Sequence, residues 1–106
     1  MCGRFTLQTS LNTLGEHFLF DTPADITLTP KWNIAPTHRI ATLLWNQGKR
    51  HYGRMHWGLI PRWAKDNSRA AKMINARCET IREKPSFREP FKKQRCLILA
   101  DGYYEW

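Results

Sequence analysis

Residues 40–59 constrain the fold more than any other stretch. Residues 40–45, Ile-Ala-Thr-Leu-Leu-Trp, make an apolar run of strand length, and Asn46-Gln47-Gly48-Lys49 has the composition of a tight reversal. In the stretch that follows, Met55, Trp57 and Leu59 alternate with polar or small residues, the period of a second strand. A β-hairpin that stops at Pro61 is therefore the economical assignment.

The rest of the chain must be fitted around that hairpin. Residues 4–7 read as a short strand, after which Thr9 or Ser10 can cap a short helix carrying Leu11, Leu14 and Phe18 on one face. Residues 21–36 hold Pro23, Pro30 and Pro36 among polar residues, so they read as an ordered loop, within which Trp32-Asn33-Ile34-Ala35-Pro36 is apolar enough to pack. Trp63 falls in a basic, polar loop that runs to about residue 71. Residues 73–76 are a short apolar run, residues 79–84 suit one helical turn, and Phe87 and Phe91, four apart, predict a second short helix despite Pro90. Residues 97–99 read as the clearest buried strand, followed by an Asp101-Gly102 turn and the start of a further strand. With no repeat, linker or low-complexity tract, 106 residues and 12.5 kDa allow one small core. The expectation is a single α+β unit with more strand than helix. Because the chain stops on Tyr-Glu-Trp with no polar residue after it, it reads as truncated.

Charge narrows the partner. Seventeen Lys and Arg against nine Asp and Glu give a formal +8 and an isoelectric point near 9.9, which favours a polyanion. No acidic residue occurs in residues 26–65, while Lys31, Arg39, Lys49, Arg50, Arg54, Arg62 and Lys65 all fall there. Trp32, Trp45, Trp57 and Trp63 are interleaved with them, the mixture of cations and stacking faces that suits single-stranded nucleic acid. The competing reading puts the tryptophans in the core and the cations in solvent.

The N-terminus offers chemistry. If Met1 is removed, Cys2 carries a free amine and a free thiol on one residue, and groups of those classes titrate near ~7.7–8.0 and ~8.5. Two chemistries stay open: trapping an aldehyde, first as an imine and then as a five-membered thiazolidine, or nucleophilic attack assisted by the residue's own amine. If Met1 is retained, Cys2 is instead a small apolar residue of the interior. Cys2, Cys78 and Cys96 show neither disulfide nor zinc spacing, which points to a reducing compartment. Without a signal-peptide pattern or an apolar run of membrane-span length, a cytoplasmic protein is expected, nucleoid-associated if bacterial.

Elsewhere candidates are sparse. His17, His38, His51 and His56 share no metal spacing, Cys78 and Cys96 read as inert thiols, and no phosphate-loop, nucleophile-elbow or metalloprotease motif is present. No metal site or cofactor is expected. Two polar residues sit inside apolar stretches: Asn75 between Ile74 and Ala76, and Glu105 between Tyr104 and Trp106. A carboxyl group buried among aromatics would have a raised pKa suited to proton shuttling, whereas one on an edge strand would simply face solvent.

Met1-Cys2-Gly3-Arg4-Phe5, Trp32-Asn33-Ile34-Ala35-Pro36, His56-Trp57-Gly58-Leu59-Ile60-Pro61, Ile74-Asn75-Ala76-Arg77-Cys78-Glu79-Thr80 and Ala100-Asp101-Gly102-Tyr103-Tyr104-Glu105-Trp106 together resemble the SRAP family. That family comprises the SOS-response-associated peptidase-like proteins and their eukaryotic relatives. The resemblance implies a strand-rich, barrel-like mixed or antiparallel sheet with short peripheral helices, of which residues 1–106 would be the N-terminal part of a single domain. It implies shielding of abasic sites in single-stranded DNA, with Cys2 forming a covalent cross-link to the sugar aldehyde. Asn75 would position the reacting groups and Glu105 would shuttle protons. Arg4 and Arg77 would hold flanking phosphates, and Trp63 would stack on a base beside the lesion. The family's catalytic histidine has no counterpart in this chain. The rival readings are a cysteine peptidase that removes its own Met1 and a plain single-stranded DNA-binding module; oligomeric state is left open.

Overall fold

The computed structural model describes residues 2–105, so Met1, whose removal the N-terminal chemistry requires, lies outside the described residues, as does Trp106. The expected hairpin is present as β3 (Arg39–Asn46) and β4 (Lys49–His56), paired antiparallel from Arg39↔His56 to Asn46↔Lys49. At its turn Gln47 and Gly48 both have positive φ, 50° and 76°, the backbone of a primed two-residue turn whose twist matches that of the strands. Ile40, Ala41, Thr42 and Leu43 are buried in succession, so β3 is covered on both faces. It is the central strand of a sheet ordered β4-β3-β5, with β5 formed by Leu97–Ile98.

A second antiparallel sheet is ordered β2-β1-β6, with β1 at Phe5–Leu7, β2 at Lys31–Ile34 and β6 at Gly102–Tyr103. Phe5 is its register point, facing Ile34 on one side and Tyr103 on the other. Helix α1 (Leu11–Phe18) follows β1 directly. Ser10 caps it, accepting a hydrogen bond from the Thr13 N–H at 3.2 Å, and Leu11 and Leu14 are buried on the expected face. Helix α2 (Pro85–Lys93) has Pro85 in its first turn, where a missing N–H costs nothing, and tolerates Pro90 within. Among the described residues, no helix is long and apolar enough to cross a membrane.

Three expectations need correction. Residues 31–34 are a strand rather than loop: Pro30 and Pro36 lie just outside it, and the side chain of Ile34 is buried while Trp32 is 61% exposed. The run at 97–99 is not a buried strand, since Leu97 and Ile98 are 60% and 52% exposed and only Leu99 reaches the core. The reason is pairing: β5 bonds β3 along one edge, opposite Thr42 and Leu43. Finally, the fold is α+β, but the two sheets do not close into a barrel. Consecutive strands β5 and β6 join different sheets, and the radius of gyration of 14.6 Å exceeds the ~13 Å usual for a compact chain of this length.

Two features draw the sheets together. Asp101 sits at the crossover, where its N–H donates to Thr6 O at 2.8 Å and its carboxylate accepts from the N–H groups of Gln8 and Thr9 and from the Thr9 hydroxyl. Those bonds hold its carboxyl below the usual carboxylate range, the Thr9 hydroxyl contributing most. The other feature is Trp57, buried just beyond β4, whose ring lies 5.3 Å from that of Phe5.

Candidate functional site

Trp57 also explains how a loop residue comes to sit beside the N-terminus. Its N–H donates to His38 O, its carbonyl accepts from Thr37 N–H, both at 2.9 Å, and its indole N–H donates to Ile74 O at 3.1 Å. One residue beyond Gly58, the Leu59 N–H donates to Met73 O at 2.9 Å. Residues 73–75 are thus strapped against the end of β4, while Phe5 brings the start of β1 to the same indole. Across 73 residues of sequence, the Asn75 side-chain amide donates to the Cys2 carbonyl at 2.8 Å.

Cys2 is half-buried and packs against the core, and its thiol lies 3.7 Å from Arg4 O, a weak S–H···O contact. The Arg4 guanidinium donates to Asn33 Oδ1 at 3.1 Å. The same Arg4 carbonyl accepts from the Tyr104 N–H at 3.0 Å, and the Tyr104 hydroxyl donates to Trp32 O at 2.7 Å. Gly3, Arg4, Asn33, Pro36 and Tyr104 line an open groove of about 520 Å³ beside Cys2. It is wide and open, and Arg4 is the one cation among these lining residues.

Cys2, Asn75 and Arg4 are therefore brought together. Glu105 follows Tyr104 directly, at the end of the β6 path that reaches Arg4, yet its side chain is exposed, so the burial among aromatics considered for it is not found. Arg77 is exposed at the head of a turn closed by the Thr80 N–H on its carbonyl at 3.2 Å. Trp63 is 62% exposed and lines a different cleft of about 530 Å³ with Arg69, Met73 and neighbours. Of the four interleaved tryptophans, only Trp57 is core; Trp32, Trp45 and Trp63 are each more than 60% exposed, so the core reading fails for those three.

Asn33 and Tyr104 were not anticipated as groove residues. The signal for Asn33 was available, because it is a polar residue between Trp32 and Ile34, just as Asn75 lies between Ile74 and Ala76. The histidines are engaged locally: His38 Nδ1 accepts from Ala35 N–H at 3.2 Å, and His56 Nδ1 and His51 Nε2 lie 3.1 and 3.3 Å from the carbonyls of Gly58 and Asn46. Among the described residues no group of three or more His, Cys, Asp or Glu is placed to hold a metal ion.

These features define a small α+β protein with a thiol-bearing residue at the head of its first strand, gripped by a distant asparagine and opening on an arginine-edged groove. The chain matches the family described as SOS response associated peptidase (SRAP) over residues 1–106, and it belongs to that family. It is 46% identical over 107 residues to abasic site processing protein YoqW of Bacillus subtilis, covering all of this chain and 48% of that protein. It is 44% identical over 108 residues to YoaM of the same organism, covering 47% of it, and 46% identical over 56 residues to abasic site processing protein HMCES of Rattus norvegicus, covering 49% of this chain and 16% of that protein. The chain spans about half the length of the Bacillus relatives it matches.

Proposed function

We propose that this chain recognises abasic sites in single-stranded DNA and captures them covalently through Cys2, shielding the lesion during the response to DNA damage. The observation that carries the reading is the Asn75 grip on the Cys2 carbonyl, which fixes the first residue at the lip of a cationic groove. The names of the relatives, abasic site processing proteins, support the choice of DNA lesion. The exposed tryptophan faces and the acid-free stretch 26–65 support a single strand as the ligand.

The chemistry balances simply once Met1 is gone. The α-amine of Cys2 adds to the open-sugar aldehyde, and loss of one water leaves an imine. The thiol then adds to the imine carbon, its proton passes to the nitrogen, and a thiazolidine ring closes. Asn75 orients the backbone of Cys2 for both additions. Glu105, exposed beyond Tyr104, takes and returns the protons of carbinolamine formation and dehydration. Arg4 and Arg77 engage flanking phosphates, and Trp63 stacks on a neighbouring base.

Intact-mass analysis with an abasic oligonucleotide tests this directly. The expected product has lost Met1 and gained one oligonucleotide minus one water. Cys2→Ala should keep DNA binding and lose the denaturation-resistant adduct. Cys2→Ser retains the amine without sulfur, so its adduct should survive only after borohydride reduction. A stable adduct on Cys2→Ala would sink the proposal.

A further inference from the structure

A second cavity lies at the seam of the two sheets, beneath residues 27–29, and shares no lining residue with the Cys2 groove. Its volume is about 120 Å³, well above the ~10–15 Å³ that one water needs. Its floor is aliphatic, from β1 and β3, but its rim is cationic. Lys31 comes from β2, Arg39 from the start of β3 and Arg54 from β4. Among the described residues the only ion pairs are those of Lys92 and Lys93 with Glu89, so none of these three cations has a carboxylate partner. Instead of an acid, Arg39 Nη2 finds the Arg54 carbonyl at 3.1 Å, which holds its guanidinium across β4.

Three like charges around one small cleft repel each other, more so where the wall is apolar and water is partly excluded. A protein that keeps such a cluster without an internal counter-ion is arranged for an external one. A buried polar group lies in the wall of the cleft. Tyr52 lines the cavity, stacks on Phe20 at 6.0 Å, and its buried hydroxyl has no hydrogen-bond partner. Burial pushes that hydroxyl's pKa up, against the opposing pull of nearby Arg54. Thr27 and Thr29 add two hydroxyls at the mouth.

We propose that this cavity binds a phosphoryl group, with Lys31, Arg39 and Arg54 neutralising the anion. Arginine's planar fork suits two oxygens of a phosphoryl group at once, and lysine supplies a point charge. The phosphoryl group can belong to a free phosphate or to a DNA strand passing the rim, and both are tested without abasic DNA, so the outcome is independent of Cys2 chemistry.

Thermal unfolding of the whole chain is followed in sodium phosphate and in sodium chloride of matched ionic strength. For free phosphate the expected result is a melting temperature about 6 °C higher once phosphate stands at roughly ten times its dissociation constant. Arg39→Gln/Arg54→Gln should abolish the rise. Tyr52→Phe is the control for a change in the wall alone: it should match or exceed the wild type in stability, because it removes an unsatisfied buried hydroxyl, and it should keep the phosphate-specific rise. For a strand phosphate, binding of a thymidine oligonucleotide is measured across salt concentrations. The slope of log affinity against log salt should then fall by about 0.7 in Arg39→Gln/Arg54→Gln. Either result supports the site. No phosphate-specific rise together with identical slopes in wild type and variant overturns it.

Discussion

Asp101 gives the sharpest test of how the two sheets are joined. Its carboxylate accepts from the Gln8 N–H at 2.6 Å, the Thr9 N–H at 2.9 Å and the Thr9 hydroxyl at 2.6 Å, and its own N–H donates to Thr6 O. Hydrogen bonds to a charged group contribute ~1.5–3 kcal/mol each when water is excluded. Asp101 is exposed, so screening lowers each toward the ~0.2–1 kcal/mol of a surface ion pair, and three of them together come to about 1–2 kcal/mol. Asp101→Ala should lose all of this, and Asp101→Asn about half, because an amide keeps one acceptor oxygen. For a chain of this size the alanine variant should melt roughly 5–10 °C lower. The pH dependence fixes the cause. The native carboxyl titrates below the ~3.9 of an unfolded aspartate, so the stability it supplies is present in full above that value and is lost as pH falls through the native pKa. Urea denaturation from pH 7 down to about pH 3 should therefore show wild type and Asp101→Asn converging in stability at the acid end. A gap of constant size would refute the charge-assisted clamp, and a gap indistinguishable from zero at pH 7 would refute the clamp altogether.

The remaining predictions concern backbone space, core and site. Gly58 has φ of +126°, and a Cβ there would stand 2.4 Å from Ala70 O, so Gly58→Ala should cost about 3 kcal/mol in urea denaturation and displace the strap that carries Asn75. Leu99→Ala, at 2% exposure, should cost ~2–5 kcal/mol, while Ile98→Ala, at 52%, should cost under about 1 kcal/mol by the same assay. Asn75→Ala removes one half-buried hydrogen bond, so its melting temperature should fall by only a few degrees, while adduct formation on abasic DNA should slow roughly tenfold; an unchanged rate would remove Asn75 from the proposed role.

The hairpin was legible because its signals are local, an apolar run of strand length and a glycine at the turn, although the second strand ends at His56 and leaves Trp57 and Leu59, read as part of it, beyond its end. The strand at 31–34 was hidden by its flanking prolines, which argue for loop although they lie outside the bonded residues. Leu97 and Ile98 misled for the opposite reason. Apolar composition says what a residue prefers, whereas burial depends on what covers it, and the exposure of both Leu97 and Ile98 shows that both faces of β5 lie open. At the site, Cys2 and Asn75 stood out singly as residue types in unusual places, whereas Arg4 came only with the family resemblance. Their convergence could not be read, because the bond from Asn75 to Cys2 spans 73 residues and depends on where Trp57 holds Ile74.

The missing acids between residues 26 and 65 tie the two cavities together. Arg4, at the Cys2 groove, spends its hydrogen bond on the neutral amide of Asn33, and Arg39, at the seam cavity, spends its own on a backbone carbonyl. An aspartate in place of Asn33 would form a stronger bond to Arg4, but it would neutralise the guanidinium on which the proposed phosphate contact rests. Neutral acceptors hold both arginines in position while leaving their charge uncompensated. That is a poor arrangement for stability and a good one for phosphate. Trp32, Trp45 and Trp63 likewise remain exposed, at the expense of core area that a chain of 106 residues can little spare, and the proposed strand would give those faces a use.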